Sequence, residues 1–294
     1  MKKIYIVSIV LIFQSCVAQK TPKLNYSKDN NTLLWEISGN GLKQPSYMFG
    51  TFHILCKDDI KFSANLQKAL AASKEVYFEM DLDDPKNTLG GMFFMNMKNK
   101  TLKELYSEKE YLKVASFFKD SLKMNISFFS KMKPMMLEAM LYPRLMPCKT
   151  PSGVEMELMT IAFKQKKEIK GFETIEFQSS IFDSIPYDIQ AKSLLKDIDS
   201  AASYKVYFNK MVNVYKNQET DTLVKIITDT AFNEGENSDV LLKNRNENWV
   251  KQLKSILVKN NIFMGVGAAH LFGKDGLITL MRKEGYKVKG IENK

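Results

Sequence analysis

Ile262-Phe263-Met264-Gly265-Val266-Gly267-Ala268-Ala269-His270 decides the reading of this chain. A short apolar run, bounded by Asn260-Asn261 and closed by glycine, reads as a buried strand. Three residues past the last glycine stands a histidine. Near the other end of the chain, Tyr47-Met48-Phe49-Gly50-Thr51-Phe52-His53 repeats the arrangement. The chain has only two histidines, and both occupy a Gly-x-x-His that follows a strand directly. Glycine permits a tight departure from the strand and a close backbone approach. Open α/β sheets place ligands at the carboxyl ends of their strands. A lone histidine after a strand is commonly structural. Two copies that use every histidine in the chain point to one shared cleft.

Working outward, Leu33 to Ile37 and Ser46 to Thr51 read as a hairpin turned at Gly39-Asn40-Gly41. Asp59 to Ser73 has helical spacing, and Glu75 to Met80 is a strand that runs into Asp81-Leu82-Asp83-Asp84. Gly90 to Lys100 holds Met92, Phe93, Phe94, Met95 and Met97; it reads as an apolar helix packed on the core or as a substrate-contacting lid. Ser107 to Leu145 is helical, broken near Pro134 and ended by Pro143 and Pro147. Glu155 to Lys167 is a helix, Glu168 to Phe172 a short strand, and Ile175 to Ile185 a helix stopped by Pro186. Tyr187 to Asn217 forms one long helix or two. Helices over Asp221 to Phe232, Val240 to Lys259 and Gly276 to Glu284, with a last strand at Tyr286 to Ile291, complete the chain. The expected fold is α+β, a mixed sheet built from N- and C-terminal strands, flanked by helices and interrupted by a helical middle. No repeat or long linker divides 32–294, which reads as a single domain.

The chain has 294 residues, is 45% hydrophobic and 26% charged, and carries a net charge of +10. These values exclude a disordered tail and a multi-span membrane protein. Its cations are nearly all Lys, with Arg only at 144, 245 and 282, interspersed with Asp and Glu. Phosphate readers favour the guanidinium fork, so a solvated Lys-rich surface is expected and no nucleic-acid partner.

Lys2-Lys3 followed by the apolar run Ile4 to Phe13 reads as a secretory signal, too short to span a bilayer. Residues 1–18 are therefore an address and 19–31 a polar tether. Gln14-Ser15-Cys16 resembles a loose lipobox, with cleavage before Cys16 and membrane attachment through its lipid; ordinary cleavage near Ala18 is the alternative. Either route places the protein in the periplasm or on the cell envelope. Export leaves Cys56 and Cys148, which form a disulfide or remain two buried thiols.

Two imidazoles rarely complete a metal site, and a carboxylate is the usual third ligand. Glu79 ends its strand as the histidines end theirs. Asp81 and Asp83 follow it, the latter reading better as a solvated turn. Glu155 and Glu173 are further carboxylates, Glu173 again at a strand end. His-Glu-x-x-His, Cys-x-x-Cys, Gly-x-Ser-x-Gly, Walker A and Gly-x-Gly-x-x-Gly patterns are all missing from the sequence.

These blocks resemble the TraB/GumN family, which includes the Tiki proteases. The likeness runs in order through Leu34-Trp35-Glu36-Ile37 with Ser46 to His53, Val76 to Asp81, Gly171-Phe172-Glu173-Thr174 with Phe177-Gln178, Asn244-Arg245-Asn246 with Trp249, and Gly265 to Leu271 with Gly276-Leu277 and Gly285-Tyr286. The resemblance implies an erythromycin-esterase/ChaN-like fold and, in the Tiki branch, peptide hydrolysis dependent on a divalent ion. His53, His270 and Glu79 would then hold Mn²⁺, Co²⁺ or Zn²⁺, with Glu173 or Glu155 shuttling the proton and Arg245 steadying an oxyanion. Arg245 reads equally as an ion pair tying helix to sheet, and Trp249 as core. The expected partner is a peptide or protein substrate. The alternative is a non-catalytic exported protein that binds a peptide, haem or metal.

Overall fold

The structure is a computed structural model that describes residues 23–28, 30–81, 83–85, 94–228 and 239–294. The leader-like run with Cys16, residues 19–22 of the expected tether, Met92-Phe93 and the expected loop at 233–237 lie outside the described residues.

A six-stranded sheet organises the chain. Its strands are β1 (Leu34–Ser38), β2 (Ser46–Thr51), β4 (Glu75–Met80), β6 (Glu168–Glu173), β7 (Ile262–Gly267) and β8 (Lys287–Ile291), in the order β6-β4-β7-β2-β1-β8. The pairs β4·β6, β4·β7 and β2·β7 are parallel, whereas β1 is antiparallel to both β2 and β8. Five strands thus point one way, and β1 alone runs back. The mixed sheet is as expected, and its terminal strands do share it. It also takes β6 from the middle of the chain, as an edge strand. A separate two-residue pairing joins β3 (Leu55–Cys56) to β5 (Pro151–Ser152).

Side-chain alternation explains why the inner strands are apolar throughout. Tyr47, Phe49, Val76, Phe78 and Phe263 face one core, with Leu66 and Leu70 of α1 (Ala64–Ala72), Leu158 of α6 (Val154–Lys164) and Phe208 of α9 (Ala201–Lys216). Met48, Tyr77, Ile262, Met264 and Val266 face the other, with Trp249, Leu253 and Leu257 of α11 (Asn244–Lys259) and Met281 of α12 (Leu277–Lys283). A strand buried on both faces shows no polar alternation. The helical middle builds a third core from Leu102, Val114, Phe118, Leu137 and Leu194.

Several boundaries differ from expectation. The first helix starts at Ala64, where the Ser63 hydroxyl accepts from Leu66 N–H. Pro134 opens the helix α4 (Pro134–Ala139), and Pro143 lies in the first turn of α5 (Tyr142–Leu145). Proline lacks an N–H that the first turn does not use, so it starts helices as readily as it stops them. The segment Tyr187 to Asn217 is two helices, α8 (Tyr187–Asp199) and α9, parted at Ser200. Among the described residues no helix is long and apolar enough to cross a membrane.

Candidate active site

The parallel register brings the predicted residues to one edge of the sheet. Glu79 leaves β4, His270 follows β7 in a short 3₁₀ turn, and His53 follows β2. Since β7 lies between β4 and β2, its histidine stands between the other two groups. Gly267 is their meeting point. A methyl there would lie 3.1 Å from Glu79 Oε1, 3.6 Å from His270 Cδ2 and 4.0 Å from His53 Nε2. Any larger residue would fill the space that the three side chains share. Gly267 N–H also donates to Glu79 Oε1 at 2.8 Å.

His270 is buried, its side chain 4% exposed. Its Nδ1 lies 2.7 Å from Asn246 Oδ1, while Asn246 Nδ2 donates to the carbonyls of His270 and Asp275. With its amide nitrogen so engaged, the Asn246 oxygen must accept. The network therefore assigns the proton to Nδ1 and a lone pair to Nε2. That lone pair accepts from Arg245 NH1 at 3.2 Å and lies 3.7 Å from Glu79 Oε1. Burial, helped by Arg245 and His53, lowers the His270 pKa to about 4, so the ring is neutral.

His53 is the opposite case. Its side chain is 75% exposed, onto the cavity in front of the site, and its Nδ1 lies 2.8 Å from Glu155 Oε1. The Glu155 bond raises its pKa to about 9, against the lowering effect of desolvation. Glu155 enters from the start of α6 and also accepts from Thr51 Oγ1 at 2.6 Å. A disulfide between Cys56 and Cys148 closes over the same arm, through the β3–β5 pairing. The pairing of the two thiols is thus present.

Arg245 joins the carboxylates. NH2 donates to Glu79 Oε2 at 2.6 Å and to Glu173 Oε2 at 2.8 Å, and Nε donates to Glu173 Oε1 at 3.0 Å. Burial opposes the guanidinium charge, but Glu173 and Glu79 more than offset it and raise its pKa. Burial likewise opposes ionisation of Glu79, yet the surrounding imidazoles, Arg245 and Gly267 N–H hold it at about 2. Glu173 lies behind Arg245, its side chain 1% exposed, and accepts further bonds from Trp249 Nε1 at 2.8 Å and Gln178 Nε2 at 3.2 Å. Trp249 belongs to the core, 0% exposed, and also packs its ring 4.4 Å from His270. Beyond the end of β4, Asp83 N–H faces Asp81 Oδ1 at 3.4 Å, and that neighbour raises the Asp83 pKa to about 6.

Imidazole and carboxylate, the side-chain types gathered here, are ones that bind divalent ions elsewhere. Both imidazoles hand Nδ1 to a protein acceptor, the arrangement that orients a histidine ligand. The rings, an ionised Glu79 and the Gly267 cradle converge. As they stand, however, no three His, Cys, Asp or Glu side chains among the described residues form a ready-made metal cluster. Arg245 already takes the His270 lone pair and one Glu79 oxygen, and His53 would have to lose its second proton.

Sequence reading missed the roles of Asn246 and Thr51, whereas Trp249 is core as read and in addition holds Glu173. The signal for Asn246 was present: Arg245, Asn246 and Trp249 lie together at the start of α11, so one helix start supplies all three. Thr51 sits at the position between Gly50 and Phe52 that looks permissive, but it anchors Glu155. No curated protein and no solved structure matches this chain. A family model does match, over residues 33–290, and the chain belongs to the TraB/PrgY/gumN family.

Proposed function

We propose that this protein is an exported metal-dependent hydrolase that acts on peptides. The observation that supports the reading best is the matched pair of histidines: each is held at Nδ1, and both rings and Glu79 border the space over Gly267. His53, His270 and Glu79 would hold a Mn²⁺, Co²⁺ or Zn²⁺ ion. Such an ion supplies Lewis acidity, polarising a carbonyl and lowering the pKa of water toward about 7.

The chain's own residues do the rest. Glu155 holds the exposed His53 ring toward the cavity and, lining that cavity itself, is placed to take up a proton. Asn246 fixes the His270 tautomer. Arg245 lines the cavity and offers a guanidinium to a developing oxyanion, while Glu173, Trp249 and Gln178 keep it in place. Export rests on the leader-like start and agrees with the disulfide. Attachment to the envelope through Cys16 belongs to the same proposal.

A second reading has its own observation. Arg245 already neutralises Glu79 and covers His270, which leaves His53, Glu155 and Glu79 as an acid–base set facing the cavity. That set would suit metal-independent ester or amide hydrolysis. One assay separates the two. Unstructured peptides are incubated with the protein and Mn²⁺, Co²⁺ or Zn²⁺, with and without EDTA, beside His53→Ala and His270→Ala. The metal reading expects cleavage that EDTA and either substitution abolish. EDTA-resistant cleavage that still needs a histidine supports the second reading, and cleavage that survives both substitutions overturns both. Stoichiometric peptide or haem binding without turnover would mark a binding protein instead.

A further inference from the structure

The cavity in front of the site has two unlike ends. Its volume is about 380 Å³, within the range of small-ligand sites. His53, Glu79, Glu155 and Arg245 form one end. The remaining wall is mostly apolar, from Phe78, Met80, Met156, Ile181, Phe182 and Leu241, with Gly153 and with Gln178, whose amide is engaged by Glu173. Although the chain is strongly basic, no Lys among the described residues lines this space.

The apolar wall is built rather than incidental. On α7 (Ile175–Ser184), Gln178, Ile181 and Phe182 stand at i, i+3 and i+4 and face the cavity. Ser179 and Asp183, on an adjoining face of the same helix, hold Lys133, which is 1% exposed. Lys133 Nζ donates to Phe94 O at 2.9 Å, Ser179 Oγ at 2.8 Å and Asp183 Oδ1 at 2.8 Å. Rotating α7 would strip a buried ammonium of its acceptors, so this anchor fixes which side chains the cavity sees. Across the space, α6 sends Glu155 to His53 and its neighbour Met156 into the cavity. Met156 is 48% exposed, apolar surface left uncovered beside the imidazole.

We infer that this end is a specificity subsite for one large apolar side chain of a peptide substrate, of the Met, Leu or Phe class, seated against Met156, Ile181 and Phe182 next to the bond that is cut. The inference rests on the hydrolytic reading above. A charged side chain there would be desolvated without a partner, which is costly. An apolar one would cover Met156 and remove its own surface from water. The adaptable thioethers of Met80 and Met156 let the subsite accept several apolar shapes.

The test uses a set of unstructured fluorescent peptides identical except at one position, occupied by Met, Leu, Phe, Gly, Asp or Lys. Turnover is measured with the wild-type protein. Binding is measured by anisotropy with His53→Ala, whose exposed ring can be removed without disturbing the core. Peptides with Met, Leu or Phe should exceed those with Asp or Lys about 10- to 100-fold in both kcat/KM and affinity. Met156→Asp, at a half-exposed position, should reduce the Leu preference at least about 5-fold in both measurements. Cleavage without an apolar preference, or a preference unmoved by Met156→Asp, overturns the subsite and leaves the hydrolase standing. Apolar-selective binding without any cleavage keeps the subsite and removes the hydrolase. Neither cleavage nor binding overturns both.

Discussion

His53 and His270 occupy the same four-residue motif after neighbouring parallel strands, yet they end in opposite states. His53 is exposed to the cavity, faces a carboxylate and holds its proton up to about 9. His270 is buried, faces an amide oxygen and loses its proton at about 4. The motif sets where each ring departs from the sheet. What it meets there, Glu155 in one arm and Asn246 with Arg245 in the other, sets its charge. The His53 arm is therefore chemically exposed and structurally light, whereas the His270 arm is knitted into the core.

The largest expected effect tests that division of labour. Arg245→Ala leaves the deeply buried Glu173 carboxylate without its cation, and should lower unfolding free energy by about 3–5 kcal/mol in urea titrations. His53→Ala removes an exposed ring but takes one partner from the buried Glu155 carboxylate, which keeps its Thr51 hydrogen bond, and should cost about 1–2 kcal/mol while abolishing turnover. Equal stability losses from the two variants would break the comparison.

The disulfide should act on one arm alone. Cys56 and Cys148 are 92 residues apart in sequence, and their bond backs the β3–β5 pairing that carries His53 and Glu155. Cys148→Ser should cost about 2–4 kcal/mol. In hydrogen exchange, protection should fall at Val154, which donates to Phe52 O, and at Lys57, which donates to Thr150 O. Protection in β7 should be unchanged relative to the new global limit. Selective loss in β7 would contradict the assignment of the staple to the His53 arm.

The smallest effect is in the pH dependence of the metal-free protein. The raised His53 pKa adds stability that is present below about 6.5, its unfolded value, and fades as pH rises through about 9. His270 adds nothing above about 6.5. As pH falls from there toward about 4, the unfolded ring takes a proton first and stability drops. Exposure and solvent screening keep the His53 contribution small. Ring resonances followed by NMR should show the two titrations displaced to either side of 6.5. A shared midpoint near 6.5 would show that the arms do not differ in the way described.

Much of this was legible in the residues themselves. A period-two or continuous apolar pattern marked β1, β2, β4, β6, β7 and β8, because strands buried on both faces leave little choice of side chain. The Gly-x-x-His pair and the strand-end Glu79 marked the site, because parallel neighbours bring their carboxyl ends to one edge. Pro134 and Pro143 misled, because a proline is equally at home in a first helical turn and after a last one. The β3–β5 pairing is too short to leave a periodic signal.

By itself, the sequence determined which groups are available: two imidazoles, Glu79, Glu155, Glu173 and three arginines, set on strand ends and helix starts that local pattern defines. Only the tertiary structure decided their protonation and their roles. It buried one histidine and opened the other, turned Glu173 into the anchor of Arg245, and placed Met156 and the α7 face beside the chemistry. Charge state and accessibility depend on burial and on partners as much as 188 residues away, such as Glu79 and Gly267, and no local pattern contains them.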